Sequence, residues 1–249
     1  MIPWLEDESL IFPCVNTALQ EPDGLLAASE SITWKQLIHA YCQGIFPWYN
    51  EPDPVLWWSP NPRAVLFPDE LHISSSLKKL IRKKPFTVTY DHCFSQVMRA
   101  CAEPRNYTDS TWISDTIINA YSALHERGIA HSVEVWDKDK LVGGLYGIAL
   151  GKVFFGESMF SRSPNASKIG FVHLVHQLKE WGFQVIDCQV ASDHMMSLGA
   201  RLISRDQFQA LLKCLINQPQ LFNDVQAMDS GKTPDITAKW SSIKTTLPL

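Results

Sequence analysis

Hydrophobic and polar positions change period several times along this chain, and the changes mark its elements. Apolar residues recur three or four apart on a helix and every second residue on a strand. Residues 32–43 (ITWKQLIHAYCQ) show near-helical spacing and run into Gly44, a natural C-cap, so a helix is predicted there. Six prolines between positions 47 and 68 then forbid regular helix and favour a rigid, extended segment. Residues 74–84 read as a helix capped by Ser74. Strands are predicted at 86–90, 131–136, 141–150, 153–160 and 184–190, and helices at 92–102, 114–127, 165–181, 194–198 and 205–217. Residues 1–30 read mostly as loop. The segment after Pro219 has little periodicity and is expected to be loosely ordered and without chemistry.

From residue 86 the order is β-α-α-β-β-β-α-β-α, a meander followed by a crossover helix and a further strand. That is an α+β pattern. It resembles the acyl-CoA N-acyltransferase fold (GNAT-like). The expected organisation is a small N-terminal α+β domain over 1–85, a GNAT-like catalytic domain over 86–218 and a polar C-terminal tail over 219–249. A coenzyme A enzyme of that fold needs a glycine-rich turn whose backbone N–H groups hold the pyrophosphate. Here the turn reads RSPNASK (162–168), without glycine and with a proline that lacks a donor. Coenzyme A binding is therefore disfavoured.

Composition narrows the reading. With 45% hydrophobic and 19% charged residues, the chain can bury a substantial core. Its formal net charge of −4 means that any nucleic-acid binding must use a local patch. Such a patch is available. Lys78, Lys79, Arg82, Lys83 and Lys84 lie on the 74–84 helix without one acid among them. It reads either as a phosphate-binding face or as a solvated surface helix. No apolar run approaches the ~18 residues of a membrane span, and the N-terminus MIPWLEDESL lacks the pattern of a signal peptide, so a cytoplasmic location is expected. The six cysteines form no CxxC pair and read as reduced, scattered thiols.

Candidate chemistry concentrates in two stretches. In residues 151–168 (GKVFFGESMFSRSPNASK), Gly156 marks a strand bulge. The bulge is expected to place Phe154, Glu157 and Met159 on one face, as an apolar cup with a carboxylate at its lip, or else the segment is ordinary core. In residues 186–190 (IDCQV), strand alternation points Asp187 and Gln189 the same way and Cys188 the other. A carboxylate and an amide inside an apolar run read as a reacting centre. Cys188 has no base assigned to it and is a weak nucleophile candidate. His173 and His176 have helical spacing but no further ligands, so no metal site is expected. Trp48, Trp57 and Trp58 on the proline-stiffened segment read as a packing plug or as a ligand platform.

Taken together, the stretches EPDGLL (21–26), GIFPW (44–48), LWWSPNPRAVL (56–66), LHIS (71–74), TWI (111–113), HSVEVW (131–136), LVGGLYG (141–147), GESMFSR (156–162), NASK (165–168), IDCQV (186–190), DH (193–194) and SLGA (197–200) resemble the bacterial leucyl/phenylalanyl-tRNA–protein transferase family. The resemblance covers about residues 20–208. It implies an aminoacyltransferase of the leucyltransferase type, which moves leucine, phenylalanine or, less readily, methionine from aminoacyl-tRNA to the α-amino group of proteins beginning with arginine or lysine. Such tagging serves the N-end rule pathway of protein degradation. It implies no cofactor, because the tRNA ester is already activated, and no membrane partner; a monomer is the default.

The same resemblance implies residue roles. Asp187 and Gln189 would form the family's catalytic positioning and proton-handling pair, with Gln189 held by Asp187. Because a neutral amide is a poor base, Gln189 is expected to orient the amine while the leaving hydroxyl or water takes its proton. Glu157 would hold the acceptor's charged terminus. Leu145, Phe154, Met159, Phe171, Leu174, Leu178 and Ile186 would form the aminoacyl pocket. Trp48, Trp112 and Tyr121 would contact the 3′-terminal adenosine of the tRNA, and the basic helix its phosphates. The chain departs from the family pattern at 27–31, where many members carry G-G-D, and at Ser75, where arginine is frequent. A coenzyme A-dependent N-acyltransferase is the alternative enzyme. A non-catalytic RNA-binding protein would leave Asp187, Gln189 and Glu157 without a task.

Overall fold

The computed structural model describes residues 2–103, 112–229 and Trp240. In chain order the elements are β1 (Leu25–Ser29), α1 (Trp34–Tyr41), β2 (Phe46–Pro47), β3 (Val55–Trp58), β4 (Arg63–Leu66), α2 (Ser75–Arg82), β5 (Thr87–Tyr90), α3 (Phe94–Ala102), α4 (Asp115–Glu126), β6 (Ala130–Asp137), β7 (Lys140–Leu150), β8 (Val153–Ser161), α5 (Ala166–Glu180), β9 (Val185–Gln189), α6 (Asp193–Ser197), β10 (Arg201–Ile203), α7 (Arg205–Leu215) and α8 (Gln218–Asp229). This is the α+β architecture that the periodicity predicts. Thr111 of the TWI stretch lies outside the described residues, as do 230–239 and 241–249 of the expected tail.

Local chemistry sets the helix starts. Thr33 and Gln36 make a reciprocal capping box on α1, and Ser204 and Gln207 make another on α7. Ser74 and Ser114 cap α2 and α4 by accepting from Leu77 and Ile117 N–H.

Three strands form a small sheet in the order β1-β3-β2, and seven form a large one in the order β10-β4-β9-β8-β7-β6-β5. Every pairing in the large sheet is antiparallel except β8 with β9, which α5 connects. One face of that sheet packs on α1, α3, α4 and α7, through residues such as Tyr41, Val97, Tyr121 and Phe208. The other packs on α2, α5 and α6, through Leu77, Phe171, Leu174 and Met195.

Three findings differ from the sequence reading. The expected loop at 27–31 is in large part β1, with Ala27 and Ala28 buried against β3. Strand β4, from the segment assigned to the N-terminal domain, lies inside the large sheet between β9 and β10. Past Pro219 the chain continues as α8, and Trp240 is only 2% exposed, stacked on His131 at 3.9 Å. A short apolar set (Leu221, Val225, Met228) finds a partner face that local periodicity does not reveal.

Candidate active site

The two parallel strands part company where the chemistry lies. β8 and β9 pair at Val153–Val185, Phe154–Ile186 and Phe155–Asp187. Beyond that, β8 continues with β7 alone, while β9 keeps β4 on its other edge as far as Gln189, opposite Ala64. In the fork lies a cavity of about 260 Å³ whose wall includes Leu145, Tyr146, Phe154, Gly156, Glu157, Met159, Phe171, Ile186, Asp187, Cys188, Met195 and Trp112.

The bulge expected at Gly156 is present. Tyr146 opposes Ser158 and Gly147 opposes Gly156, so Glu157 is the extra residue on β8. Gly147 is required opposite it, because a Cβ there would sit 2.2 Å from the Phe155 carbonyl oxygen. The bulge does not put all three residues on one face. Phe154 and Met159 pack into the α5 layer, whereas the Glu157 carboxylate turns to Tyr41 and Tyr121 in the opposite layer. Cup and carboxylate meet at the bulge from the two sides of the strand.

Five of the expected pocket residues (Leu145, Phe154, Met159, Phe171 and Ile186) line the cavity. Leu174 and Leu178 do not. Both are fully buried in the core of the same layer and support the pocket from within it.

Asp187 is completely buried and carries a two-point ion pair. Its Oδ1 accepts from Arg63 Nε at 2.8 Å and its Oδ2 from Arg63 Nη2 at 2.7 Å. The guanidinium also donates to the Gly44 carbonyl at 3.2 Å and lies between the Phe46 and Phe208 rings, 4.7 and 4.8 Å from their centroids. Asp187 does hold Gln189, but through the backbone: Gln189 N–H donates to Oδ1 at 2.9 Å. The side-chain amide instead donates to Glu157 Oε1 at 2.9 Å. Strand alternation fails here because Gln189 has φ of +61°, a left-handed conformation costing about 1 kcal/mol for a residue other than glycine. That conformation ends the strand and turns the amide toward Glu157.

Glu157 is the electrostatic centre. It accepts from Tyr41 Oη at 2.6 Å and Tyr121 Oη at 2.8 Å. Burial pushes its carboxyl up to about 7, with nearby Asp187 adding to the rise and the two tyrosine hydroxyls and Arg63 opposing it. Burial and the neighbouring Glu157 charge push the phenols of Tyr41, Tyr121 and Tyr146 well above their ordinary range. Burial also raises the Cys188 thiol, with Asp187 adding to it, which keeps the sulfur protonated and inert.

Tyr121 is the clearest departure among the expected base contacts. It is 0% exposed, and its hydroxyl is held by Glu157, so its ring presents no free face. Trp112 lines the cavity. Trp48 is 48% exposed, lies tilted against Trp58 and is not part of the cavity wall. Trp57 is a buried plug, its indole donating to Ser29 Oγ at 2.9 Å. Lys78, Lys79, Arg82, Lys83 and Lys84 are all exposed at the end of α2, whose Leu77 and Ile81 face the core. No ion pair joins any of the five to another described residue.

Sequence reasoning missed Arg63 and Tyr41. A lone arginine entering the buried run AVL is a signal that could have identified the partner of Asp187. Tyr41 falls at helical spacing from Leu37 and Ile38 and reads as plain core.

At the start of α5, where a coenzyme pyrophosphate would need free donors, two are engaged within the protein. Ala166 N–H donates to the Ser163 carbonyl at 3.1 Å and Ser167 N–H to Ser161 Oγ at 3.3 Å.

Comparison with known proteins gives the family. The family model described as leucyl/phenylalanyl-tRNA protein transferase matches residues 65–213, and the N-terminal domain of the same family matches 30–61. A leucyl/phenylalanyl-tRNA–protein transferase of Cellvibrio japonicus is 60% identical over 88% of this chain and 94% of its own length. One of Pseudomonas fluorescens is 58% identical over 88% and 97%. The chain belongs to the leucyl/phenylalanyl-tRNA–protein transferase family of aminoacyltransferases. Solved structures are more distant: L-PGS of Bacillus licheniformis at 11% identity (TM-score 0.41, 70% of this chain and 57% of that one), and a GCN5-related N-acetyltransferase of Kribbella flavida at 11% (TM-score 0.36, 70% and 62%). Likeness at that distance supports no assignment. Among the described residues no helix is long and apolar enough to cross a membrane.

Proposed function

We propose that this chain transfers leucine, phenylalanine and, less readily, methionine from aminoacyl-tRNA to the α-amino group of proteins that begin with arginine or lysine. It would act as a cytoplasmic monomer and mark those proteins for degradation. The observation that carries this reading is the join of an apolar cup, walled by Leu145, Phe154, Met159, Phe171 and Ile186, to Glu157 in one cavity, with the Gln189 amide hydrogen-bonded to that carboxylate from outside the wall. A side chain of leucine or phenylalanine size fits the cup, while its ester carbonyl would lie near the polar pair.

The chemistry is attack of an amine on an ester. The amine nitrogen bonds to the carbonyl carbon and the bond to the ribose oxygen breaks. Holding both partners in place supplies most of what such a reaction needs. Gln189 orients the amine, and its own orientation is fixed by Glu157 and by the buried Arg63–Asp187 pair. Trp112, at the cavity wall, would stack on the terminal adenosine, and Trp48, half exposed outside that wall, would extend the platform. The cations of α2 would hold acceptor-stem phosphates.

Purified protein is mixed with radiolabelled Leu-tRNA and a peptide beginning with arginine, beside a matched alanine peptide and labelled acetyl-CoA. Label on the arginine peptide alone, from tRNA alone, is expected. Acetyl transfer would replace this reading with a coenzyme A-dependent one. Equal labelling of both peptides would remove the acceptor specificity.

A further inference from the structure

Three oxygen-bearing groups meet at the β8 bulge with more close approaches between them than hydroxyl protons to fill them. Tyr41 Oη lies 2.6 Å from Tyr121 Oη and 2.6 Å from Glu157 Oε1, and Tyr121 Oη lies 2.8 Å from Glu157 Oε2. All three edges have hydrogen-bond length. Each hydroxyl carries one proton. With Glu157 ionised, only two edges can hold a proton, and the third sets lone pair against lone pair. With Glu157 protonated, the ring closes: Tyr41 donates to Tyr121, Tyr121 to Oε2, and Oε1–H to Tyr41. Gln189 Nε2 can donate to Oε1 in either state.

The charged and titratable groups facing this ring come from five elements. They are Tyr41 on α1, Tyr121 on α4, Tyr146 on β7, Asp187 on β9 and Arg63 on β4. Asp187 opposes ionisation of Glu157 and Arg63 favours it, but burial is the largest influence and brings the carboxyl to about 7. An α-ammonium group loses its proton at about 7.7–8. A base works best when its affinity for the proton lies near that of its partner and near the working pH.

We propose that Glu157 is the general base of the transfer, and that Tyr41 and Tyr121 are positioning residues whose hydroxyls complete a three-proton ring when Glu157 takes up the proton of the incoming ammonium. This rests on the reaction proposed above and gives Glu157 a task beyond holding the acceptor's charge. The protons balance. The α-ammonium gives one to Glu157, and the free amine attacks the ester carbon. As the carbon–nitrogen bond forms and the carbon–oxygen bond to ribose breaks, the ribose oxygen leaves with the second. The third stays on the new amide nitrogen. Glu157 then releases its proton to solvent, and no further reactant is needed.

The test pairs a direct readout of the carboxyl with kinetics. Infrared difference spectra of the unliganded protein are recorded from about pH 5 to about pH 9, spanning the carboxyl and α-amino ranges. The proteins are the wild type, E157Q, Y41F and Y121F. For each, kcat and the acceptor-peptide KM are measured at saturating Leu-tRNA. The wild type should lose a buried carboxyl band with a midpoint near 7, and E157Q should lack that band. E157Q should lower kcat roughly 10²–10⁴-fold, with its residual rate rising as the amine itself deprotonates. Y41F and Y121F should move the midpoint upward, because a hydroxyl bond to a carboxylate is stronger than one to a neutral group. Should E157Q fail to fold, the two tyrosine variants decide through that midpoint. A Glu157 carboxyl ionised over the whole range overturns the proposal, as does an E157Q that raises only the acceptor KM and keeps kcat. Absence of transfer by the wild type itself overturns the reaction, and the base with it.

Discussion

Arg63 and Asp187 are 124 residues apart in sequence and joined by two parallel hydrogen bonds of 2.8 and 2.7 Å, with both side chains at most 1% exposed. The pair crosses from β4 to β9, so the N-terminal half of the chain anchors the strand that carries Gln189. Removing one member leaves an unpaired charge in the interior, which costs about 3–5 kcal/mol. Arg63→Leu and Asp187→Asn should each lose stability on that scale in urea titrations. Arg63→Lys should lose part of it, because an ammonium cannot match the planar fork. A loss under about 1 kcal/mol for Arg63→Leu, well below the range for a broken buried pair, would mean that the pair is not closed in solution.

Glu157 sets a pH dependence of stability with a definite sign. Its carboxyl titrates at about 7 in the folded protein against an ordinary value of 4.5. Between those values the folded chain binds more protons than the unfolded one, so its contribution to stability falls as pH rises from 4.5 to 7 and is level above. Glutamine cannot ionise and escapes this loss. E157Q should therefore be more stable than wild type above neutrality, by about 3 kcal/mol, and equal to it near pH 4. Denaturant midpoints at the two pH values check this; a less stable E157Q at the higher pH would contradict it.

The split between cavity wall and inner core predicts two kinds of pocket variant. Met159→Ala widens the cup and should shift the ratio of phenylalanine to leucine transfer, on the scale of ~1–3 kcal/mol per methylene of fit. Leu174→Ala removes a fully buried side chain that does not line the cavity. It should cost about 2–5 kcal/mol of stability and leave the ratio unchanged. Competition between the two charged tRNAs, followed with thermal melts, separates these outcomes.

The α2 cations are exposed and can meet phosphates. Replacing Lys79, Arg82 and Lys83 by glutamine should weaken tRNA binding and lower the slope of log affinity against log salt by roughly 0.7–0.9 for each phosphate no longer neutralised. The acceptor-peptide KM should stay as it was. An unchanged salt slope would return α2 to the status of a solvated surface helix.

Stacking distinguishes the two tryptophans. Trp112→Ala should cost about 1–3 kcal/mol in aminoacyl-tRNA affinity. Trp48→Ala, at a half-exposed ring outside the cavity wall, should cost less. Titration of the intrinsic fluorescence of each variant with Leu-tRNA reads both.

Local pattern alone was enough for most of the elements, because helix caps, proline restrictions and apolar periodicity act within a few residues. Ser74, Ser114 and Gly156 each announced a cap or a bulge, and the structure has them. The apolar cup was legible for the same reason: Phe154 and Met159 flank a bulge written into seven consecutive residues. What the tertiary structure decided is where the polar groups point and what they touch. Glu157 crosses to the opposite layer to meet Tyr41 and Tyr121, Gln189 leaves its strand through a left-handed turn, and Asp187 takes an arginine from a distant strand. Hydrogen bonds and ion pairs join partners by position in space, and periodicity carries no information about a partner 116 or 124 residues away. The tail shows the same limit, since α8 and Trp240 take their order from faces supplied by the rest of the fold.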